Sequence, residues 1–429
     1  MSPRELPPEL CDHVIDYLWD DPHALIACSL TCRGWVPTTR LHLFEAVKLK
    51  GPHDCARLHQ ALNASGTAPT AIADCIRDLS IITPPSEFVD AGGEPAEGGS
   101  RWLCYWMPKL LPKLCHVNCL RLEHVDWELL AANESTKDCI LCFSPNLKEL
   151  HLSSLMFATA DALLQTITSF PQLITLEMSY LVWWGDHSPS PSHPPPPELE
   201  LEQGQCKIRI EQLSMSYLYG PTVVLDWLLR PPFDLRLRRF EWDSSGKYPQ
   251  RPILMELLRK AEESLEHLRL TLWDEDFLAE LDLSNNVRLA HLDIGLQNAP
   301  GRRDVWYPSV PGCLSRITSP FLREIKLQFS LFRAPDFDLN FIDWARLDEI
   351  LAELCKTRPL LSVTFHFHFQ LQLDGLMPAT HKCIADRLKE ALVAGLRARV
   401  VCSGVIIGSR STPVPDQVHN VALPQTTWA

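Results

Sequence analysis

The sequence predicts an α/β repeat architecture: an N-terminal block of three helices, then an irregular solenoid with parallel strands on a concave face and helices on a convex face. Three observations lead there. Apolar residues recur at helical spacing within the first 50 residues. An apolar-x-x-apolar-x-apolar phrase then returns ten times, starting at Ile76 and ending with Phe365. Helical stretches separate the copies, so the strands are expected to stack in parallel with the helices behind them.

The N-terminal block comes first. Leu6-Pro7-Pro8-Glu9-Leu10 has prolines where a helix entrance tolerates a missing N–H. Leu10, Val14, Ile15 and Leu18 follow at helical spacing. Asp20-Asp21-Pro22 ends that helix and caps a second, whose apolar residues are Leu25, Ile26 and Leu30. After a break at Thr31 to Gly34, Trp35 to Phe44 is a third short helix, with Pro37 harmless in its first turn. So small a core calls for a partner to cover its apolar surface.

The run Leu6-Pro7-x-Glu9-Leu10, Val14-Ile15-x-x-Leu18, Leu25, Cys28, Leu30, Cys32-Arg33, Trp35 and Leu43-Phe44 resembles the F-box motif. The phrase from Cys28 to Pro37 is similar to F-box proteins of mushroom-forming (basidiomycete) fungi. The resemblance covers about 40 residues. It implies docking to the adaptor subunit of an SCF-type ubiquitin ligase, and through it to cullin and RING subunits. It makes Leu6, Pro7, Leu10, Ile15, Leu25 and Trp35 candidates for the adaptor contact or its support. The alternative is a helical end cap of the solenoid, which repeat arrays need.

A connector follows over residues 51–72, with a helical patch from Cys55 to Leu62. Residues 73–402 form the predicted leucine-rich-repeat solenoid, whose ten starts lie about 32 residues apart on average. Helices are expected over Ala160–Ser169, Pro221–Arg230, Pro252–Glu263 and Trp344–Lys356. The Asn or Cys that usually hydrogen-bonds along the turns is replaced by Leu155, Leu181, Trp273, Gln297 and Ser330, so irregularity is expected. Low-complexity insertions lie near 90–100 and 184–204, the second with a run of four prolines. The tail 403–429 reads as loosely ordered.

Period-two alternation selects the outward residues of the strands. These candidates for target binding are Glu149, His151, Glu177, Arg239, Glu241, His267, Arg269, His291, Asp293, Glu324 and Lys326. They are polar and mixed in sign, on the surface with which solenoids bind.

The 429 residues are 46% hydrophobic and carry a net charge of −13. The acidic balance opposes a general nucleic-acid or anionic-membrane binder. Fifteen scattered cysteines, with no secretory signal read at the N-terminus, suggest a reducing compartment, cytoplasmic or nuclear. His366 and His368 share a strand face but lack further ligands, and Cys139-x-x-Cys142 and Cys115-x-x-x-Cys119 lack a matching second pair. No metal, cofactor or catalytic residue is assigned. The expected function is a non-catalytic substrate receptor that binds an unidentified target protein. The rivals are a repeat scaffold whose F-box serves assembly or turnover, and an enzyme with its pocket between repeats.

Overall fold

Three short helices open the chain, each bounded by residues suited to its ends. Helix α1 (Pro8–Asp16) begins with proline in its first turn. Helix α2 (Pro22–Thr31) is capped by Asp21, whose carboxylate accepts the Ala24 N–H at 3.0 Å. After a 3₁₀ turn at Arg33–Trp35, α3 (Val36–Phe44) carries Pro37 in its first turn. Ile15, Leu25 and Thr39 are buried where the three helices meet, and the Thr39 hydroxyl donates to the Trp35 carbonyl at 2.9 Å.

The computed structural model describes residues 7–64, 71–83, 101–142, 145–183, 207–218, 220–243, 251–272, 275–297, 307–331, 342–369, 384–406 and 412–421. Leu6 and both low-complexity insertions lie outside them. The chain forms two compact units, Met1–Ile210 with Leu218–Asp234, and Glu211–Tyr217 with Leu235–Ala429.

In the first unit the chain leaves α3 directly into a strand, β1 (Ala46–Leu49). The sequence reading kept these residues within the helical block. Four residues are too few to show a period, and β1 exists because it pairs in parallel with β2 (Asp78–Ile82), Leu49 opposite Ile81. Strands β3 (Cys119–Glu123), β4 (Glu149–Ser153) and β6 (Thr175–Ser179) continue the sheet in the order β1-β2-β3-β4-β6, all parallel. The two-residue strands β5 (Met156–Phe157) and β7 (Val182–Trp183) pair separately. Leu79, Leu120, Leu150 and Leu176 stand in one register row and are buried. Helices at Pro52–Ala64, Arg101–Leu110 and Glu134–Cys142 pack in succession.

The missing Asn or Cys ladder has a backbone substitute. The residue just after β3, β4 and β6 adopts a positive φ: His124 (56°), Ser154 (54°) and Tyr180 (54°). In that turn the N–H of His124 reaches the Ser153 carbonyl at 3.0 Å, and that of Ser154 reaches Ser179 at 2.9 Å. Neighbouring turns are thus tied main chain to main chain. Leu155 and Leu181, at the ladder position, are free to be apolar, and both are buried.

Strand β8 (Ile208–Ser216) straddles the division along the chain. The second unit continues with β9 (Phe233–Asp243), β10 (His267–Leu272), β11 (His291–Leu296), β12 (Glu324–Leu331), β13 (Ser362–Phe369) and β14 (Arg397–Ile406). From β9 to β14 each strand pairs in parallel with the next. Phe240, Leu268, Leu292, Ile325 and Val363 form one buried row, and Trp242, Leu270, Ile294, Leu327 and Phe365 the next. The expected helices appear at Ala160–Thr168, Pro221–Leu228, Arg251–Lys260 and Trp344–Thr357. Among the described residues no helix is long and apolar enough to cross a membrane.

Two details differ from the sequence reading. The repeat pattern starts its last copy at Leu360, yet Leu360 is 62% exposed and Leu361 is buried in its place. Leu360 sits in the turn that follows the helix, which moves the inward position one residue on. The tail also does not begin at 403. Strand β14 runs to Ile406, and β15 (Thr412–Val421) returns antiparallel against it. Its polar and proline-containing composition hid a strand that takes its order from pairing with β14.

Candidate functional site

Two surfaces present themselves. The first lies on α1 and α2. Leu10 (51% exposed), Val14 and Tyr17 form a stripe at i, i+4 and i+7, joined by Trp19 beyond the helix. On α2, Ile26 and Leu30 (82% exposed) are likewise open. A cluster of large apolar side chains on a small helical block is a feature of docking surfaces.

Of the sequence-predicted adaptor residues, Pro7 and Leu10 are exposed and Trp35 is half-buried. Ile15 and Leu25, each 1% exposed, cannot touch a partner, which leaves them the supporting role and not the contact itself. They sit in the helical phase that faces α3 and hold the exposed stripe in place. Tyr17 and Trp19 fall outside the apolar spacing read from the sequence, whereas Val14, Ile26 and Leu30, which lie on its helical stripes, are exposed. Their signal was available as apolar positions on more than one helix face.

The second surface is the outward side of β9 to β12. Regular parallel pairing places equivalent outward positions side by side. The His267 and His291 rings stack, centroids 4.3 Å apart and planes 5° from parallel. His291 Nδ1 lies 3.2 Å from the Glu324 carboxylate in the same row. The next row alternates in sign: Glu241, Arg269, Asp293, Lys326. Successive contacts along it are 3.8, 3.8 and 3.7 Å. Asp293 also accepts the Gln328 amide at 2.6 Å. Arg239, Glu241, His267, Arg269, His291, Asp293, Glu324 and Lys326 line an open depression of about 260 Å³. Eight of the eleven residues chosen from strand alternation thus share one site.

Burial, and then the neighbouring His291, hold the His267 imidazole below its ordinary pKa, so it favours the neutral form. Glu266, at the edge of the row, is held low by the Arg238 guanidinium, which donates to it at 3.2 and 3.1 Å. Such a strip suits recognition of a polar, charge-alternating protein surface.

The remaining three predicted residues meet in the first unit. His151 Nδ1 lies 2.6 Å from the Glu177 carboxylate, and its Nε2 is buried with no hydrogen-bond partner, 3.7 Å from Glu149. Glu177 is held low by that hydrogen bond. Cys119 stands beside Glu149 in register, and burial pushes its thiol up to about 12. In β13 and β14, Ser403 Oγ contacts His366 Nε2 at 2.9 Å and His368 Nδ1 at 2.6 Å, so the two histidines that share a strand face are linked through a hydroxyl, with His366 buried.

No family model matches the chain, and no curated protein does. Among solved structures the chain is similar to the crystal structure of the yeast Rad7 and Elc1 complex, at 11% identity and a TM-score of 0.34, over 85% of this chain and 84% of that one.

Proposed function

We propose that this protein is the substrate-recognition subunit of an SCF-type ubiquitin ligase and performs no bond chemistry itself. Residues 1–50, which resemble an F-box, dock to the adaptor and through it to cullin and RING subunits. The outward strip of β9 to β12 holds the target protein, in the cytoplasm or nucleus. The observation that carries this reading is the exposed apolar stripe Leu10, Val14 and Tyr17, with Ile26 and Leu30, on the segment with the F-box-like sequence. An isolated cap would have no reason to leave those residues bare. Tethering a target beside the charged conjugating enzyme raises its effective concentration, which is all a receptor has to contribute.

The test is a binding assay between the full chain and purified SCF adaptor. A Kd of about 1 μM or better, about −8 kcal/mol, is expected. Leu10→Glu combined with Leu30→Glu should abolish it without unfolding the protein. Failure of the wild-type chain to bind overturns the reading. Adaptor binding with no partner that accumulates when the ligase is blocked would favour a scaffold instead.

A further inference from the structure

We propose that Cys119, Glu149 and His151 form a three-ligand site for a divalent cation of the zinc class, with Glu177 orienting the imidazole. One donor atom from each, the Cys119 sulfur, a Glu149 oxygen and a His151 nitrogen, lie within 4.8 Å of one another. The set is one thiolate, one imidazole and one carboxylate, which suits Zn²⁺ and leaves a fourth position for water or a partner's side chain.

Three features point to a cation rather than a chance cluster. His151 Nε2 is buried without a hydrogen-bond partner, an uncommon state for a polar atom and one that a metal would resolve. Its other nitrogen is engaged by Glu177 at 2.6 Å, the carboxylate–histidine arrangement that fixes the tautomer with Nε2 free to ligate. The three ligands sit on the adjacent paired strands β3 and β4, with Cys119 opposite Glu149, so their spacing is held by a rigid ladder. Charges of both signs surround the three ligands. Asp78 and Glu149 stand on either side of Cys119 in register, and Arg121, beside His151, pairs with Asp78, which leaves Glu149 as the carboxylate open to an ion. A divalent ion would take the thiol as thiolate, releasing its proton to solvent.

This inference stands apart from the ligase reading, and its test needs no ligase component. The full chain, stripped with a chelator, is titrated with Co²⁺ and then Zn²⁺. One equivalent of Co²⁺ should produce a thiolate-to-cobalt charge-transfer band that Zn²⁺ displaces. Cys119→Ser should abolish the band, while Cys115→Ser should leave it. Glu149→Gln, at an exposed position that will not disturb the fold, should weaken binding at least tenfold. Glu177→Gln should keep the band and weaken binding by about 10- to 100-fold, as loss of an orienting carboxylate does. Absence of a stoichiometric band overturns the site. So does a band of unchanged strength and affinity in both Cys119→Ser and Glu149→Gln, which would assign the ion to other thiols.

Discussion

In the N-terminal helices Leu10, Val14, Tyr17, Ile26 and Leu30 stand in solvent, whereas from β2 to β13 the leucine positions at the centre of each strand are closed off almost completely. Both regions are rich in apolar residues, and composition alone does not separate them. The difference lies in what is available to cover them. Each strand has a parallel neighbour and a helix behind it, so one row of leucines meets the next. Helices α1 to α3 form too small a body to cover every apolar side chain they carry, and the surplus becomes a surface. Burial thus follows from the cover each region has: complete in the strands, partial in the helices.

Leu150→Ala or Leu270→Ala, in fully buried rows, should destabilise by about 2–5 kcal/mol, seen as a lowered denaturant midpoint. Leu30→Ala should change stability by no more than about 0.5 kcal/mol. A large loss at Leu30 would make it core and overturn the proposed docking surface.

A second, smaller contrast separates buried from open arginines. Arg358, largely enclosed, donates to the Ser319 carbonyl at 2.7 Å and the Ile317 carbonyl at 3.2 Å, and burial lowers its pKa. Arg358→Leu leaves those carbonyls unpaired and should cost about 1–3 kcal/mol in the same denaturation assay. Arg269→Ala, in the half-exposed ion-pair row, should cost less than about 1 kcal/mol yet weaken target binding once a target is in hand. Equal losses in stability would mean that the row is structural.

The smallest expected effect concerns pH. The folded state holds His267 below its ordinary value of 6.5. The unfolded chain therefore takes up its proton first as the pH falls. Stability present above about pH 6.5 is lost on acidification toward the folded-state value. His267→Gln should flatten the pH dependence of the melting temperature over that window. An unchanged profile would show that the stacked pair contributes nothing to it.

Much of the architecture was legible because its signals are local. The period-two phrase marks strands and assigns their inward and outward residues, from Leu150 and Leu152 inside to His151 outside. Prolines and Asp21 mark the helix ends. That logic failed where a local pattern had two readings. Leu10, Val14 and Ile15 lie on one short helix, and only packing against α3 shows that Ile15 turns in and the others out. Leu360 and Leu361 offer two frames for one strand, and the turn chooses the second.

Spacing along the chain carries the order of elements, the repeat and the outward residues of the strands, and the F-box-like opening rests on resemblance. Adjacency came from folding. His267 meets His291, Arg269 bridges Glu241 and Asp293, and Cys119 meets Glu149 and His151 because parallel register joins residues a full repeat apart. The short strand β1 and the returning β15 have the same cause, since each owes its conformation to a neighbouring strand's hydrogen bonds rather than to a pattern of its own.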